Sequence, residues 1–386
     1  MTRIAKSSEI SALLAHPGAE LYGSDRVFLD SAKALARRGW TVTVTLPGDG
    51  PLSEILAREG IHVVVCRTPV LRKSALRPLG MVRLIADAIS SAPQGLALLR
   101  RKRPDVVYIS TVIIPLWSLL AWILRIPVVC HVHEAETEPP KPLRTLLALP
   151  LLTTSRIVTN SEFSRATLLD SLPRLVSRTE VIPNPVIGPP KVTPARADLA
   201  GRVNLLFIGR LSPRKGPDVA IRSLAILRGN GVDARLSLLG SVFEGYEWFE
   251  KDLHDQVGRL RLTDHVRFLG FAEDVWSTVK GADIVVVPSV ADEPFGNTAV
   301  EAVLAARPVV ASASGGLIEA IRGYTSARSC TPGSAEDLAG AVDSLIGNWP
   351  ETVEAAIRDA VTAAQRHSPV LYGERLDASL RAADRR

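Results

Sequence analysis

The sequence predicts an α/β protein of two doubly wound domains, and three observations lead there. At 386 residues the chain exceeds what one core usually organises, and its 46% hydrophobic content suffices for two. Short β-branched runs alternate with stretches of helical spacing, the pattern of parallel strands joined by crossover helices. Between Ala282 and Ile321 two such strand ends meet two helix starts, which is where a doubly wound sheet binds ligands.

Taken in order, the chain begins with a strand from Glu9 to Ala15, a loop from His16 to Ser24 and a helix from Arg26 to Arg38. In that helix Val27, Leu29, Ala34 and Leu35 recur at helical spacing, and Gly39 ends it. Thr41 to Leu46 is the next strand. This βαβ start lacks the Gly-x-Gly-x-x-Gly of a dinucleotide site, as does the rest of the chain, which removes the main support for a nicotinamide dehydrogenase. Nineteen uncharged residues lie between Asp105 and Arg125, long enough to raise a membrane-spanning reading. Tyr108, Ser110, Thr111, Pro115 and Ser118 interrupt them, so the segment divides into a strand (Val106 to Ser110) and a helix (Leu116 to Leu124), before a strand at Pro127 to His131. The last delivers His131-Val132-His133-Glu134 to the carboxyl edge of the sheet.

Ser155 to Leu169 gives a strand and a helix opened by Ser161, with Glu162 in its first turn. Val181 to Pro194 holds five prolines, which no regular element accommodates, and reads as the hinge between domains. Beyond it Asn204 to Ile208, Arg235 to Gly240 and Val266 to Phe271 are strands. In the central stretch, Ile284 to Val287 is a buried strand stopped by Pro288, and Pro308 to Ala311 is another. A helix starts near Asn297, with that asparagine as its cap, so the amides of Gly296, Asn297 and Thr298 form an anion site. Ala335 to Ala364 is helical throughout, and Val370 to Ala382 forms the final helix.

Cys66, Cys130 and Cys330 are odd in number and far apart, which argues against a disulfide framework or zinc site and fits a reducing cytoplasm. The apolar run after Arg3 and Lys6 is too short and interrupted for a signal peptide. Charge is concentrated: residues 67–103 carry nine Lys or Arg against Asp87 alone, a local +8 where the whole chain carries +6. With Leu79, Val82, Leu84 and Ile85 interleaved, the segment fits an interfacial helix on an anionic membrane surface, or else a solvated helical face.

Within the central stretch the string PS-x3-EPFG-x4-EA-x5-PVVAS-x-SGG-x2-E, with Glu293 and Glu301 eight residues apart, resembles the donor-site signature of the retaining GT-B glycosyltransferases of family 4. Gly209-Arg210-Leu211-Ser212-Pro213-Arg214-Lys215-Gly216 is similar to that family's G-R-L-x3-K-G, whose Arg and Lys hold the donor diphosphate. By itself it is equally a basic strand-to-helix turn on an exposed loop. The loop PGAELYGSDR resembles the family's first glycine-containing loop, with Gly23 and Ser24 at its small-residue turn and Ser24 where many members have a second glycine. His133-Glu134 is similar to the family's His-Asp or His-Glu, whose histidine sits by the transferred sugar. Zinc binding by His131, His133 and Glu134, or a purely structural histidine, are the other readings. VIPN resembles the family's linker motif, with Pro185 replacing a common glycine.

The resemblance implies a GT-B fold, two doubly wound Rossmann-like domains facing a central cleft. Residues 1–184 form the acceptor-side domain, 185–202 the linker, 203–365 the nucleotide-sugar domain, and 366–386 a helix crossing back to the first domain. It implies a retaining hexosyltransferase-type enzyme that moves sugar from a nucleotide diphosphate sugar to a glycan or lipid-linked saccharide in cell-surface polysaccharide or glycolipid synthesis. His133, Arg210, Lys215 and Glu293 are the expected catalytic residues. Gly23, Ser24, Gly209, Phe271, Gly296, Asn297, Thr298 and Glu301 are the expected donor contacts. No Asp-x-Asp occurs, so neither a metal nor any cofactor beyond the sugar-nucleotide co-substrate is expected, and no nucleic-acid partner. The expected location is cytoplasmic, peripheral to the inner membrane face. A sugar-nucleotide epimerase and a non-catalytic nucleotide-sugar binder are the alternatives.

Overall fold

The structure, a computed structural model, describes residues 10–21, 23–71, 78–135, 137 and 139–384. Glu9, Tyr22, Arg72, Lys73 and Arg77, on which parts of the sequence reading fall, lie outside them. The chain divides into two compact units, one of Met1–Pro185 with Pro369–Arg386, the other Val186–Ser368.

In the first unit β1 (Ser11–Ala15), α1 (Gly23–Arg37), β2 (Thr41–Leu46), α2 (Pro51–Arg58) and β3 (His62–Val65) build one half of a sheet. A long helix α3 (Pro78–Lys102) then leads to β4 (Val106–Ile109), α4 (Pro115–Ile123), β5 (Val128–Val132), α5 (Lys141–Ala148), β6 (Arg156–Thr159), α6 (Glu162–Ser171) and β7 (Thr179–Val181). The order β3-β2-β1-β4-β5-β6-β7, with every pairing parallel, reverses direction between β1 and β4. Strands β4 and β5 are buried at every residue and β1 at all but its first, because both faces are covered: Ala12 and Leu14 join the core under α1, whereas Leu13 and Ala15 join the core under α3 and α4.

The second unit comprises β8 (Arg202–Ile208), α7 (Pro217–Gly229), β9 (Asp233–Leu239), α8 (Glu247–Arg259), β10 (Val266–Gly270), α9 (Trp276–Gly281) and β11 (Ile284–Val287). It continues through α10 (Asn297–Leu304), β12 (Val309–Ser312), α11 (Leu317–Ile321), β13 (Ala327–Cys330), α12 (Ala335–Ile346) and α13 (Trp349–Arg366). Its parallel sheet, β10-β9-β8-β11-β12-β13, switches direction between β8 and β11. Residues 186–201 are tied to this unit by the buried guanidinium of Arg307, which donates to the carbonyls of Thr193 (2.6 Å), Val279 (2.9 Å) and Lys280 (3.0 Å), and by the Arg196–Asp283 pair at 2.6 Å. The last helix, α14 (Pro369–Asp384), returns to the first unit and buries Tyr372, Leu376 and Leu380 in the core with α1.

Three sequence expectations are corrected. The helix expected over 335–364 is two helices broken at Gly347-Asn348, because Pro350 has no amide to continue a helix and favours a first turn, which is where α13 places it. Helix α1 begins at Gly23 rather than Arg26, so Gly23 and Ser24 are first-turn residues and not a loop, with Asp25 in the turn where the helix dipole favours an acid. The cap of α10 is Gly296, at φ 109°, and Asn297 is the first helical residue. Among the described residues no helix is long and apolar enough to cross a membrane, and Cys66, Cys130 and Cys330 are free and buried.

Candidate active site

In the second unit the turn after β8 and the loop after β11 emerge side by side at the switch point, the place where an open parallel sheet leaves room for a ligand. The turn 209–216 passes through a single 3-10 turn, Pro213–Lys215, into Gly216 and α7. Gly216 has φ +69°, and a Cβ there would lie 2.1 Å from the Pro288 carbonyl, so only glycine lets this turn rest on the end of β11. The contact is extended by the Val290 amide donating to the Arg214 carbonyl at 2.8 Å, and by Arg214 donating to the Asp292 carbonyl at 3.1 Å.

The same clamp works from the other side. The Gly316 amide donates to the Glu293 carbonyl at 2.6 Å, and a Cβ on Gly316 would meet the Pro294 carbonyl at 2.4 Å. Ser314 donates to Asp292 at 3.0 Å. The two glycine-bearing turns thereby fix the 288–296 loop and with it Glu293.

This packing brings Lys215 and Glu293 together, 78 positions apart in sequence. Lys215 Nζ lies 2.7 Å from Glu293 Oε1, and the same oxygen accepts from Ser289 at 2.9 Å. Glu293 is buried and Lys215 half-buried, so the pair is only partly screened by water. The exposed Arg210 guanidinium lies over the Phe243 ring, 3.1 Å from its centroid, an arrangement that orients the cation. Gly209 holds the start of the turn by donating to the Leu239 carbonyl at 2.9 Å. Helix α10 presents its first amides, at Asn297 and Thr298, at the end of the same loop, and Glu301 lies half-buried about one turn further along it. Phe271, just past the edge strand β10, is exposed.

In the first unit His133 follows β5, and its Nε2 is buried without a hydrogen-bond partner among the described residues. Burial, reinforced by the neighbouring His16, pushes its imidazole down to about 3, so the ring is neutral at physiological pH. Glu134 points back into the fold: it accepts from Thr111 and from the His133 amide. His131 is buried against Tyr108, whose hydroxyl lies 2.8 Å from its Nδ1. The His131 and His133 rings lie together, with centroids 3.9 Å apart, but Glu134 is turned to Thr111, and among the described residues no group of His, Cys, Asp or Glu is placed to hold a metal.

Sequence reasoning missed His16 and Asp25. At the end of β1, His16 bridges Ser110 (2.5 Å from Nδ1) and Asp25 (2.7 Å from Nε2), which ties the switch point of the first sheet to the first turn of α1. A histidine directly after a buried strand was the available signal. Ser289, Asp292 and Ser314 were also missed, because their roles appear only once the two loops meet.

Two parallel sheets with interleaved helices, each with its switch point, match solved structures of the GT-B class across the chain. Anabaena Alr3699/HepE in complex with UDP-glucose superposes with a TM-score of 0.80 at 25% identity, covering 97% of this chain and 100% of that one. The profile of Glycosyl transferases group 1 matches residues 199–361, and that of Glycosyltransferase Family 4 matches residues 22–187. The chain belongs to the GT-B glycosyltransferases of family 4. It is similar to 2-deoxystreptamine glucosyltransferase of Streptomyces kanamyceticus, 26% identical over 360 residues, 86% of this chain and 91% of that protein. It is also similar to D-inositol 3-phosphate glycosyltransferase of Salinispora arenicola, 34% identical over 191 residues. That match spans 44% of this chain and 42% of the relative's length.

Proposed function

We propose that the protein is a retaining, metal-independent hexosyltransferase that takes a sugar from a nucleotide diphosphate sugar and places it on a saccharide or lipid-linked saccharide, in the synthesis of cell-surface polysaccharide or glycolipid. The observation that carries this reading is the meeting of Arg210, the Lys215–Glu293 pair and the N-terminus of α10 at the switch point of the second sheet. Two side-chain cations and a set of helix amides there suit a diphosphate, and a carboxylate suits hydroxyls beside it.

In this reading Arg210 and Lys215 hold the diphosphate, with the amides of Gly296, Asn297 and Thr298 on its far oxygens. Gly209 and Phe271 border the nucleoside, and Glu301 accepts from the ribose hydroxyls. When the bond from the anomeric carbon to the diphosphate breaks, negative charge grows on the leaving oxygen. Fixed cations stabilise that state more than the ground state. The acceptor hydroxyl attacks the same face of the sugar, and its proton passes to the departing diphosphate oxygen, so configuration is kept without a protein nucleophile. Glu293, held by Lys215 and Ser289, orients the sugar. His133, being neutral, offers a hydrogen bond to a sugar hydroxyl rather than a charge, and Gly23 and Ser24 lend first-turn amides of α1. The test is a thermal-shift panel of nucleotide sugars, beginning with UDP-glucose. A donor that binds the folded state raises the melting temperature by mass action. A panel in which no nucleotide sugar shifts the wild type, or in which Lys215→Ala shifts equally, overturns the reading.

A further inference from the structure

Helix α3 is longer than the sheet it covers. Ser91, Gly95, Leu98 and Leu99 are buried, whereas no described residue from 79 to 90 is. At 1.5 Å per residue, that leaves roughly 18 Å of helix beyond its packed half. Because α3 connects β3 to the parallel β4, it runs against the strands, so the free half projects from their carboxyl edge, where His16 and His133 stand.

Water-exposed helix of this kind is normally polar. Here Leu79 is 79% exposed, Val82 65%, Ile85 52% and Ile89 69%, and 79, 82 and 89 fall along one stripe. Arg83 is exposed within the overhang, and its one acid, Asp87, is neutralised by Arg67 at 2.5 Å.

We infer that the overhanging half of α3 docks the first unit onto an anionic lipid bilayer, its apolar stripe entering the interface. The occupant follows from charge. Residues 67–90, the overhang and the sequence leading into it, carry five Lys or Arg against Asp87 alone, and a symmetric pairing with a second copy would set these cations against each other. A bilayer with anionic headgroups complements both the stripe and the charge. If the transferase reading holds, docking also presents a lipid-linked acceptor to the strand ends of the first unit. The docking itself does not depend on that reading.

Sedimentation with vesicles tests it, using phosphatidylcholine alone and an equal mixture with phosphatidylglycerol. The full chain is expected to bind the mixed vesicles only, and to come off in high salt. The triple variant Leu79→Gln, Val82→Gln, Ile89→Gln is expected to bind at least about tenfold more weakly, with an unchanged melting temperature because all three side chains face water. Should the triple variant not fold, Arg83→Gln alone is expected to weaken binding about fivefold. Equal binding to neutral vesicles, undiminished binding of these variants, or a concentration-dependent dimer that the triple variant dissolves while vesicle binding is absent would each overturn the inference.

Discussion

At the scale of single residues, the Lys215–Glu293 pair separates two effects that a loop lysine alone would not. Lys215→Ala and Arg210→Ala are each expected to lower kcat/KM by about 2 to 4 kcal/mol of transition-state stabilisation, the scale of one preorganised charge contact. Their stabilities should differ. Lys215→Ala strands the buried Glu293 carboxylate beside Ser289 and should cost about 1 to 3 kcal/mol of folding stability, whereas Arg210 is exposed to water, and its truncation should cost less. Steady-state kinetics with thermal melts checks both, and equal melting temperatures would show that the ion pair does not hold the loop. His133 gives a pH signature. Its folded value lies near 3, below the ordinary 6.5, so the unfolded chain binds the extra proton between those values. Stability is therefore full above about 6.5 and falls as pH drops toward 3. His133→Gln should flatten that fall, without abolishing it because burial also depresses the neighbouring His131. A melting temperature with the same acid slope in the variant would contradict the burial argument.

At the scale of elements, the two glycine-bearing turns are the device that assembles the site. Gly316→Ala should cost about 1 to 3 kcal/mol, since its methyl meets backbone at 2.4 Å and backbone cannot swing aside. Gly258→Ala, inside α8 with open space around it, should be neutral or stabilising by about 0.5 to 1 kcal/mol. Chemical denaturation of the two variants checks the contrast. These turns also mark what the sequence could disclose. Ile284–Val287 and Thr41–Leu46 were readable to the residue, because a β-branched run ended by a proline leaves little choice of structure. The Gly296 cap was not, because its positive φ is settled by packing, with Leu317 filling the space that a side chain would need. The break at Gly347-Asn348, by contrast, was legible, since a Gly-Asn pair ends a helix and Pro350 suits the first turn of the next; good helix formers on both sides masked it. The Lys215–Glu293 and His16–Ser110 contacts join residues 78 and 94 positions apart, a distance no local pattern spans.

At the scale of the whole molecule, each unit is built on a parallel sheet, and in the proposed reading the strand ends of the second hold the diphosphate while those of the first carry His133. In the proposed reading Arg210, Lys215 and the α10 amides supply the positive charge that a divalent ion would otherwise bring, so activity is expected to persist in excess chelator. A complete, metal-reversible loss would show that the residue charges do not suffice. The most direct test of transfer itself is to follow an acceptor-dependent reaction of the nucleotide sugar found in the thermal-shift panel and read the product's anomeric configuration by NMR. The account predicts nucleotide diphosphate release only with acceptor present, a product of the donor's own anomeric configuration, and neither in Lys215→Ala beyond a trace. A product of inverted configuration, or a bound donor that is epimerised or left intact in the presence of every acceptor, would contradict it.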